Sequence, residues 1–339
     1  MKVSFDFEPI DYMIELFHDV KKGIAVNPQT IDKLLSHDAI KQMIKHYNRP
    51  DGSNANIMPE DLKHVFLNLD RENLSSENDF LIEFHKNLKD KFDRLDELES
   101  FLKQLKEKQE EITNFAQKKL QRFLPQGIDF EPRIFIIFTG YSGGYFVGND
   151  ITLDLEHISK SLDKVASTIA HELHHIAFNG IVENTLLSGQ LPANKNMLAE
   201  LIAGLAGEGI AYYCVGGDPE KGLIGFEDNP DYQSDLKRWK SYFQEVNDVM
   251  LKLLNDELTT EEFFGWASKH MSKTFGAINM VGIKTIEAIY RAGGDGEVLG
   301  VVENPAIYVR VYNNAATYLN ENKKTDYPLF DSRLEEVFG

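Results

Sequence analysis

The chain has 339 residues, 42% of them hydrophobic, and a formal net charge of −18 at pH 7. This length and composition fit a globular protein of two to three structural units, or one large catalytic unit with a helical extension. The acidic balance disfavours nucleic acid and anionic membrane surfaces as partners, because both require a basic face. The single cysteine, Cys214, excludes a disulfide within the chain, and we expect it to be a small buried side chain.

The N-terminal sequence from Met1 to Asp6 has no basic region followed by an apolar run. No window approaches about 18 uninterrupted apolar residues, the length that a transmembrane helix requires. Neither a signal peptide nor a membrane span is therefore visible. We expect a cytoplasmic protein, with a signal peptide already removed from the sequence as the alternative.

Residues 1–125 are predicted to be helical throughout. Helix starts are indicated at Asn27-Pro28, where proline suits a first turn, and at Pro59-Glu60, where proline is followed by acidic residues. Between Phe80 and Leu124 an apolar seam runs through lysine- and glutamate-rich sequence, which predicts one very long helix or a helical hairpin. Packing within the chain and a coiled-coil partner surface are the two roles open to this stretch.

The composition changes near Pro125, so we predict a helical N-terminal region, 1–125, and a catalytic region, 126–339. Arg133 to Phe138 is β-branched and aromatic, which predicts a buried strand. Gly140 to Gly148 holds four glycines and predicts a flexible turn, since it has neither G-x-G-x-x-G nor G-K-[ST]. Asp150 to Leu155 alternates polar and apolar residues, as a half-buried strand does.

The segment His171-Glu172-Leu173-His174-His175 has the pattern H-E-x-x-H. It lies in a predicted helix that has Ser159 or Ser161 as N-cap and Asn179-Gly180 as its end. The apolar stripe of this helix consists of Leu162, Val165, Ala166, Ile169, Ala170, Leu173, Ile176 and Ala177.

His171 and His175 lie one helical turn apart on the same face, so both imidazoles can reach one metal ion. Glu172 lies about 100° round the helix, where a carboxylate could take a proton from water. Zinc hydrolases use such a set, two imidazoles with a neighbouring carboxylate. The alternative is a buried helix whose histidines are incidental. His174 points away from this face, and we expect it at the surface or behind the ligands.

The chain after Gly180 is predicted to be helical again. The expected helices cover Asn194 to Val215, 231–255, 259–271, Ile278 to Ala292 and a last stretch from Asn304. The predicted fold is therefore α+β and predominantly α-helical, with a small β-sheet at about 133–155.

A catalytic zinc site usually has three protein ligands, and no cysteine lies near the motif. The next carboxylates on a well-formed helix are Glu200 and Glu208. The residues around Glu208 are small, which allows close approach of another helix, as a shared metal requires. Because the two glutamates are eight residues apart, they lie about 80° and roughly 12 Å from alignment. They cannot both be ligands of one zinc on an unbroken helix.

The chain resembles the gluzincin clan of zinc metallopeptidases, in which a second helix carries a ligand glutamate, often within E-G-x-A. Glu208-Gly209-Ile210-Ala211 matches that pattern, and the likeness extends to bacterial zinc-dependent peptidases of unknown role. It is specific over about 133–215. The resemblance implies Zn²⁺ as cofactor, held by His171, His175 and Glu208. It also implies that the strand before the motif helix, about Gly148 to Leu155, is a sheet edge that pairs with extended substrate.

One position departs from the family pattern. Thermolysin-like members have an acidic residue four positions after the ligand glutamate, and it orients a zinc histidine; this chain has Tyr212 there. The support of that histidine must therefore differ, and Glu200 is a possible substitute.

The expected function is zinc-dependent hydrolysis of a peptide, with Glu172 as the general base. Tyr308 is the candidate donor to the oxyanion by its position in the last helical stretch, with Tyr312 and His270 as rivals, and a structural role is the alternative for each. A hydrolase of a non-peptide amide, and a binding or scaffold protein built around 80–124 with an idle site, are the alternatives for the whole chain. The endo- or exo-action and the oligomeric state are left open.

Overall fold

The structure is a computed structural model, and it describes residues 2–49, 54–139, 143–159, 161–221, 229–271 and 275–338. The fold is predominantly helical with a small four-stranded sheet, which confirms the predicted α+β class. The residues form two compact units, Met1–Phe115 with Asp129–Thr168, and Ala116–Ile128 with Ile169–Gly339. These units are defined by contacts within the folded chain. They do not test the division into regions 1–125 and 126–339, which stays a prediction.

The elements up to residue 184 form the first unit and the start of the second, with helices α6 and α8 contributing residues to both. They are β1 Ser4–Asp6, α1 Glu8–Lys21, α2 Pro28–Ser36, α3 Asp38–Tyr47, α4 Pro59–Leu67, α5 Asp79–Asp90, α6 Leu95–Gln121, β2 Arg133–Ile137, β3 Gly144–Val147, β4 Asp150–Asp154, α7 Leu155–Ile158 and α8 Leu162–Asn184. The remaining helices are α9 Ala193–Ile210, α10 Pro230–Leu254, α11 Thr260–Met271, α12 Gly276–Glu303 and α13 Tyr308–Lys323.

The sheet of the first unit has the strand order β1-β2-β4-β3. β1 and β4 both pair with β2 in parallel, and β3 pairs with β4 antiparallel. Helix α1 packs against β2, where the rings of Phe17 and Phe138 stack with centroids 5.3 Å apart. The predicted buried strand from Arg133 is thus β2, and its apolar run is explained by pairing on both sides and by the helix that covers it.

Two predictions about the sheet are wrong. β4 is a central strand and not the edge, so it cannot pair with a substrate backbone, and its residues Thr152 and Asp154 are buried, where a half-buried strand was expected. The edge strand beside β4 is β3, which forms within the predicted glycine turn; residues 140–142 of that turn lie outside the described residues. Gly144 is the first residue of β3, and a Cβ there would lie 2.8 Å from Cδ2 of Leu153 on β4.

The N-terminal part of the chain is not helical throughout, because Ser4–Asp6 forms β1. The seam between Phe80 and Leu124 is also divided, into α5 and α6, by a 3₁₀ turn at Phe92–Arg94. The turn has a specific partner, since the buried Lys91 just before it and the partly exposed Arg94 at its end both donate to the carboxylate of Glu156. These two contacts to Glu156 give a physical reason for the break, which the pattern of apolar residues does not predict.

Helix α9 forms the centre of the second unit, where it packs against α10 and α12. The approach to α12 is very close, because a Cβ on Gly209 would lie 2.3 Å from the carbonyl oxygen of Gly282. By length and composition alone, the stretch Ala193–Gly216 could also span a membrane, but most of its apolar window is buried within the structure. Core packing therefore accounts for its apolar character.

Helix α12 is longer than predicted. Gly293-Gly294 was expected to end it, and Gly294 is indeed non-helical, with φ 71° and ψ −156°. Helical structure nevertheless resumes and continues to Glu303. Only glycine adopts such a φ without strain, so the pair marks a kink within the element and not its end.

Candidate metal centre

The two histidines of the motif lie on α8 as the sequence predicts. Ser161 begins the helix, because its hydroxyl accepts a hydrogen bond from the Lys164 amide at 3.1 Å. One turn separates His171 from His175, and their Nε2 atoms are 3.1 Å apart. The two rings meet at 78°, with centroids 4.7 Å apart. Both imidazoles therefore direct Nε2 toward one point.

Glu208 brings a carboxylate from α9 to the same point. Its two oxygens lie 3.5 Å from His175 Nε2 and 3.9 Å from His171 Nε2. The small residues beside it make this approach possible. A Cβ on Gly207 would lie only 3.1 Å from the ring of Phe178, which is on the motif helix. The predicted use of small residues for close helix packing is thus present in the structure.

The spacing of the three donors suits zinc. Bonds of about 2.0–2.1 Å in a tetrahedral site place neighbouring ligand atoms about 3.3 Å apart. The distances of 3.1, 3.5 and 3.9 Å bracket that value. Two imidazoles and one carboxylate are also the donor types that zinc accepts in catalytic sites. The side chains stay between 12% and 27% exposed, so the site is open to small molecules rather than closed.

The charges of the site are coupled. Burial alone raises the pKa of Glu208, but the neighbouring His175 and His171 outweigh it, and the pKa is lowered. For His175, burial is outweighed by the carboxylates of Glu208 and Glu172, which raise its pKa. Both shifts favour an ionised Glu208 beside positively charged groups. A bound divalent cation would provide the same favourable interaction with the carboxylate.

Glu172 is the buried carboxyl group of the site, with 8% of its surface exposed. Burial raises its pKa to about 7; the charge of Glu208 acts in the same direction, while His175 opposes it. A carboxyl group with a pKa near neutrality can both accept and release a proton at physiological pH. Glu172 is thus a carboxyl group whose pKa lies near neutrality rather than at its ordinary value of 4.5.

The comparison with protein families indicates the same metal that this geometry suits. Residues 31–321 match the family model described as "Putative zinc dependent peptidase (DUF5700)". The chain belongs to this family. No curated protein and no solved structure matches the chain. Since the matched segment contains the whole cluster of His171, His175 and Glu208, membership supports zinc as the metal and a peptidase as the protein class.

His174, within the motif, is completely buried and not at the surface, so that alternative for it is wrong. Its ring stacks on Phe178 with centroids 5.4 Å apart. Neither ring nitrogen has a hydrogen-bond partner among the described residues. Burial, together with the two neighbouring histidines, lowers its pKa well below 6.5. The side chain behaves as a neutral aromatic group of the core.

The other glutamate on α9, Glu200, is exposed, and it accepts a hydrogen bond from Asn196 at 2.6 Å. Two turns of helix separate it from Glu208, and it is outside the group of potential ligands. It therefore lies at the surface, which was one of the two places expected for it.

Tyr308 is fully buried at the start of α13, and its hydroxyl shares a hydrogen bond with Thr285. The rival Tyr312 donates to the carbonyl of Pro328 at 2.6 Å, and His270 shares a hydrogen bond with Glu245 at 2.9 Å. None of these hydrogen bonds joins the group of His171, His175 and Glu208, and each is a contact of the kind that holds a core together. The assignment of Tyr308 to the oxyanion stays a prediction.

A residue whose place was not predicted is Tyr212. The sequence shows it only as a departure from an acidic position, but its ring lies against the ring of His171, with centroids 4.5 Å apart. The spacing contains the signal, because a residue four positions after Glu208 lies on the same face one turn further along. Only the structure shows which ligand it meets.

A second group of potential ligands, Asp6, Glu8 and His37, lies in the first unit. It does not suit a metal, because His37 Nδ1 accepts a hydrogen bond from the Ala39 amide at 3.2 Å. A neutral imidazole then carries its proton on Nε2, the atom that faces Asp6 at 3.4 Å. Binding a metal through Nε2 would require the other tautomer and would break the cap of α3.

Proposed function

We propose that this protein is a zinc-dependent hydrolase of the gluzincin type that cleaves peptide bonds. The observation that carries the proposal is the convergence of His171, His175 and Glu208 from two helices, with the donor atoms 3.1 to 3.9 Å apart. Membership of a family of zinc-dependent peptidases supports the reaction class.

The three ligands leave a position for water or substrate, since zinc in catalytic sites has three protein ligands and one exchangeable partner. When bound, zinc supplies Lewis acidity that makes attack of water on a carbonyl group feasible near neutral pH. Of the protein's own groups, a carboxylate oxygen of Glu172 accepts the proton from water. The resulting carboxylic acid then donates that proton to the leaving nitrogen.

The gluzincin assignment is supported by the placement of the third ligand. Glu208 stands in Glu208-Gly209-Ile210-Ala211 on α9, the next long helix after α8. The glycine of that segment is required here by packing, because Gly209 lies against the backbone of α12. The pattern E-G-x-A thus combines a ligand with the close helix contact that holds it in place.

The test is the substitution Glu172→Gln, which removes the base but none of the ligands. We expect the variant to bind about one zinc per chain as the wild type does, and to lose hydrolysis of a peptide library by about 10²–10⁴-fold. Zinc is measured by elemental analysis after purification with and without chelator, and cleavage by mass spectrometry.

The matched control is Glu200→Gln, which makes the same chemical change at an exposed position of α9. It is expected to retain both zinc and activity. Equal cleavage by wild type and Glu172→Gln would show that Glu172 is not the base. A wild type that binds zinc but cleaves only small non-peptide amides would place the protein among the amidohydrolases, and a wild type without zinc would favour the scaffold alternative.

A further inference from the structure

Tyr212 occupies an irregular turn directly after the helix that carries Glu208. The backbone from Ala211 to Gly216 is a π-helix that continues α9. Such turns cost hydrogen-bond geometry and occur often at functional sites. This one follows the ligand glutamate without interruption, so its first residues stay on the side of α9 that faces the motif helix.

The ring of Tyr212 contacts two aromatic partners. It meets the His171 ring at 66°, with centroids 4.5 Å apart. It also meets the ring of Phe275, which is fully buried, with centroids 5.6 Å apart. An edge-to-face contact at this distance favours one orientation of the imidazole over rotation about its side-chain bonds.

We propose that Tyr212 is a positioning residue whose ring fixes the imidazole of His171 in the orientation that directs Nε2 toward His175 and Glu208. The inference rests on the proposed function, because it assigns a role toward the zinc held by those ligands. It assigns the role to the ring and not to the hydroxyl.

The experiment compares three substitutions in the full-length protein. Tyr212→Phe keeps the ring and removes the hydroxyl, whereas Tyr212→Met replaces the ring by a flexible apolar chain. Tyr213→Met makes the same change at the next residue of the turn, whose ring lies near Tyr290 and whose hydroxyl donates to Pro219. Zinc affinity is measured by competition with a chromophoric chelator, the ligand geometry by the absorption spectrum of Co²⁺, and folding by thermal unfolding in EDTA.

We expect Tyr212→Met to weaken zinc binding by about 10–100-fold, the usual effect of removing a group that orients a ligand, and to alter the Co²⁺ spectrum. Tyr212→Phe and Tyr213→Met should bind zinc as the wild type does. Phe275→Leu, which removes the second aromatic contact of the Tyr212 ring, should also weaken zinc binding, but less than Tyr212→Met does. It provides the test if Tyr212→Met does not fold.

Wild-type affinity and an unchanged spectrum in Tyr212→Met, or in Phe275→Leu where that variant replaces it, would overturn the inference. Equal losses in Tyr212→Phe and Tyr212→Met would also overturn it, since the hydroxyl would then be the active group. Equal losses in Tyr213→Met and Tyr212→Met would show a general effect of the turn. If the wild type itself binds no zinc, the proposed function fails together with this inference, and that result differs from all the others.

Discussion

Glu208 adds a third potential metal ligand to the two histidines of the helical motif. Two histidines one turn apart provide only two ligands, and their helix cannot supply the third from the same face. The carboxylate from α9 lies 3.5 Å and 3.9 Å from the two Nε2 atoms and completes the group. The two histidines also lower the pKa of Glu208 against the effect of burial, so this group is ionised and ready to bind a cation.

Removing Glu208 should therefore abolish strong zinc binding, whereas removing Glu200 should not. Glu208→Ala deletes one of three ligands, and we expect a loss in zinc affinity well beyond the 10–100-fold that a supporting residue contributes. Glu200→Ala changes an exposed side chain whose described contact is with Asn196, so its affinity should match that of the wild type.

Isothermal titration with zinc, preceded by removal of metal, measures both variants under the same conditions. The reverse order of affinities would show that the third ligand is Glu200 and that its assignment to Glu208 is wrong.

The contact between α9 and α12 determines where Glu208 stands. Gly209 and Gly282 each occupy a place where a side chain would collide with the other helix, as a Cβ on Gly282 would lie 2.4 Å from the carbonyl oxygen of Leu205. Backbone atoms cannot move aside as the end of a flexible side chain can. The two helices therefore pack at a distance that only glycine allows, and the residue next to Gly209 is Glu208, the proposed third ligand.

Gly209→Ala should destabilise the protein by about 1–3 kcal/mol or more, as overpacking does, and should weaken zinc binding because it displaces the neighbouring Glu208. Gly204→Ala is the matched control on the same helix, since a Cβ there meets only Ile278 at 3.8 Å, an ordinary contact. The control should be neutral or more stable by up to about 1 kcal/mol, because alanine favours a helix over glycine.

Denaturant unfolding in EDTA gives the stability of both glycine variants, and chelator competition gives their zinc affinity. Equal stability of the two variants would mean that α9 and α12 separate without cost and that the close contact does not hold the site.

The molecule as a whole carries a net charge of −18, but its response to mild acid depends on buried histidines as well as on its carboxylates. His85, in the first unit, is 1% exposed, and its Nε2 lies 2.9 Å from the carbonyl oxygen of Asn68. Burial lowers its pKa below 6.5; the hydrogen bond opposes this shift, whereas Lys89 and His64 add to it. The unfolded chain therefore binds a proton at His85 more readily than the folded chain does.

This difference in proton affinity between the folded and unfolded chain determines how pH changes the free energy of unfolding. Above about pH 6.5, the ordinary pKa of histidine, His85 is neutral in both states and does not change the stability. As the pH falls below 6.5, the unfolded state gains the proton first, so the free energy of unfolding decreases. His85→Gln retains a donor for the Asn68 carbonyl and removes the titration.

We expect the free energy of unfolding of His85→Gln to depend less on pH between 6.5 and 5 than that of the wild type. The difference in slope is at most about 1.4 kcal/mol per pH unit, which corresponds to one proton. Urea unfolding at several pH values measures it, and contributions from groups that do not interact with His85 cancel in the comparison. Parallel curves would show that His85 titrates alike in the folded and unfolded chain.

The sequence by itself determined the helical character of the protein and most of its site. Helical periodicity is local, so α8, α9, α10 and α11 begin within a few residues of where it predicts them. The predicted end of α8 at Asn179-Gly180 is wrong, since the helix continues to Asn184. The spacing of His171 and His175 is local as well, since one turn of helix places both imidazoles on one face. Periodicity alone does not distinguish Glu208 from Glu200 as the third ligand. The small residues around Glu208 and its match to the family pattern E-G-x-A favoured Glu208.

Only the tertiary structure decided what depends on residues distant in the chain. β4 is central because β2 and β3 pair with its two sides, and alternation along a single strand cannot show how many neighbours that strand has. The break at Phe92–Arg94 depends on Glu156, more than 60 residues away. The contact of Tyr212 with His171 likewise joins two helices, so the spacing after Glu208 indicates a face but not the partner on it. Pairing, long-range ion pairs and ring contacts form only once the chain is folded, and they complete the site that the local pattern begins.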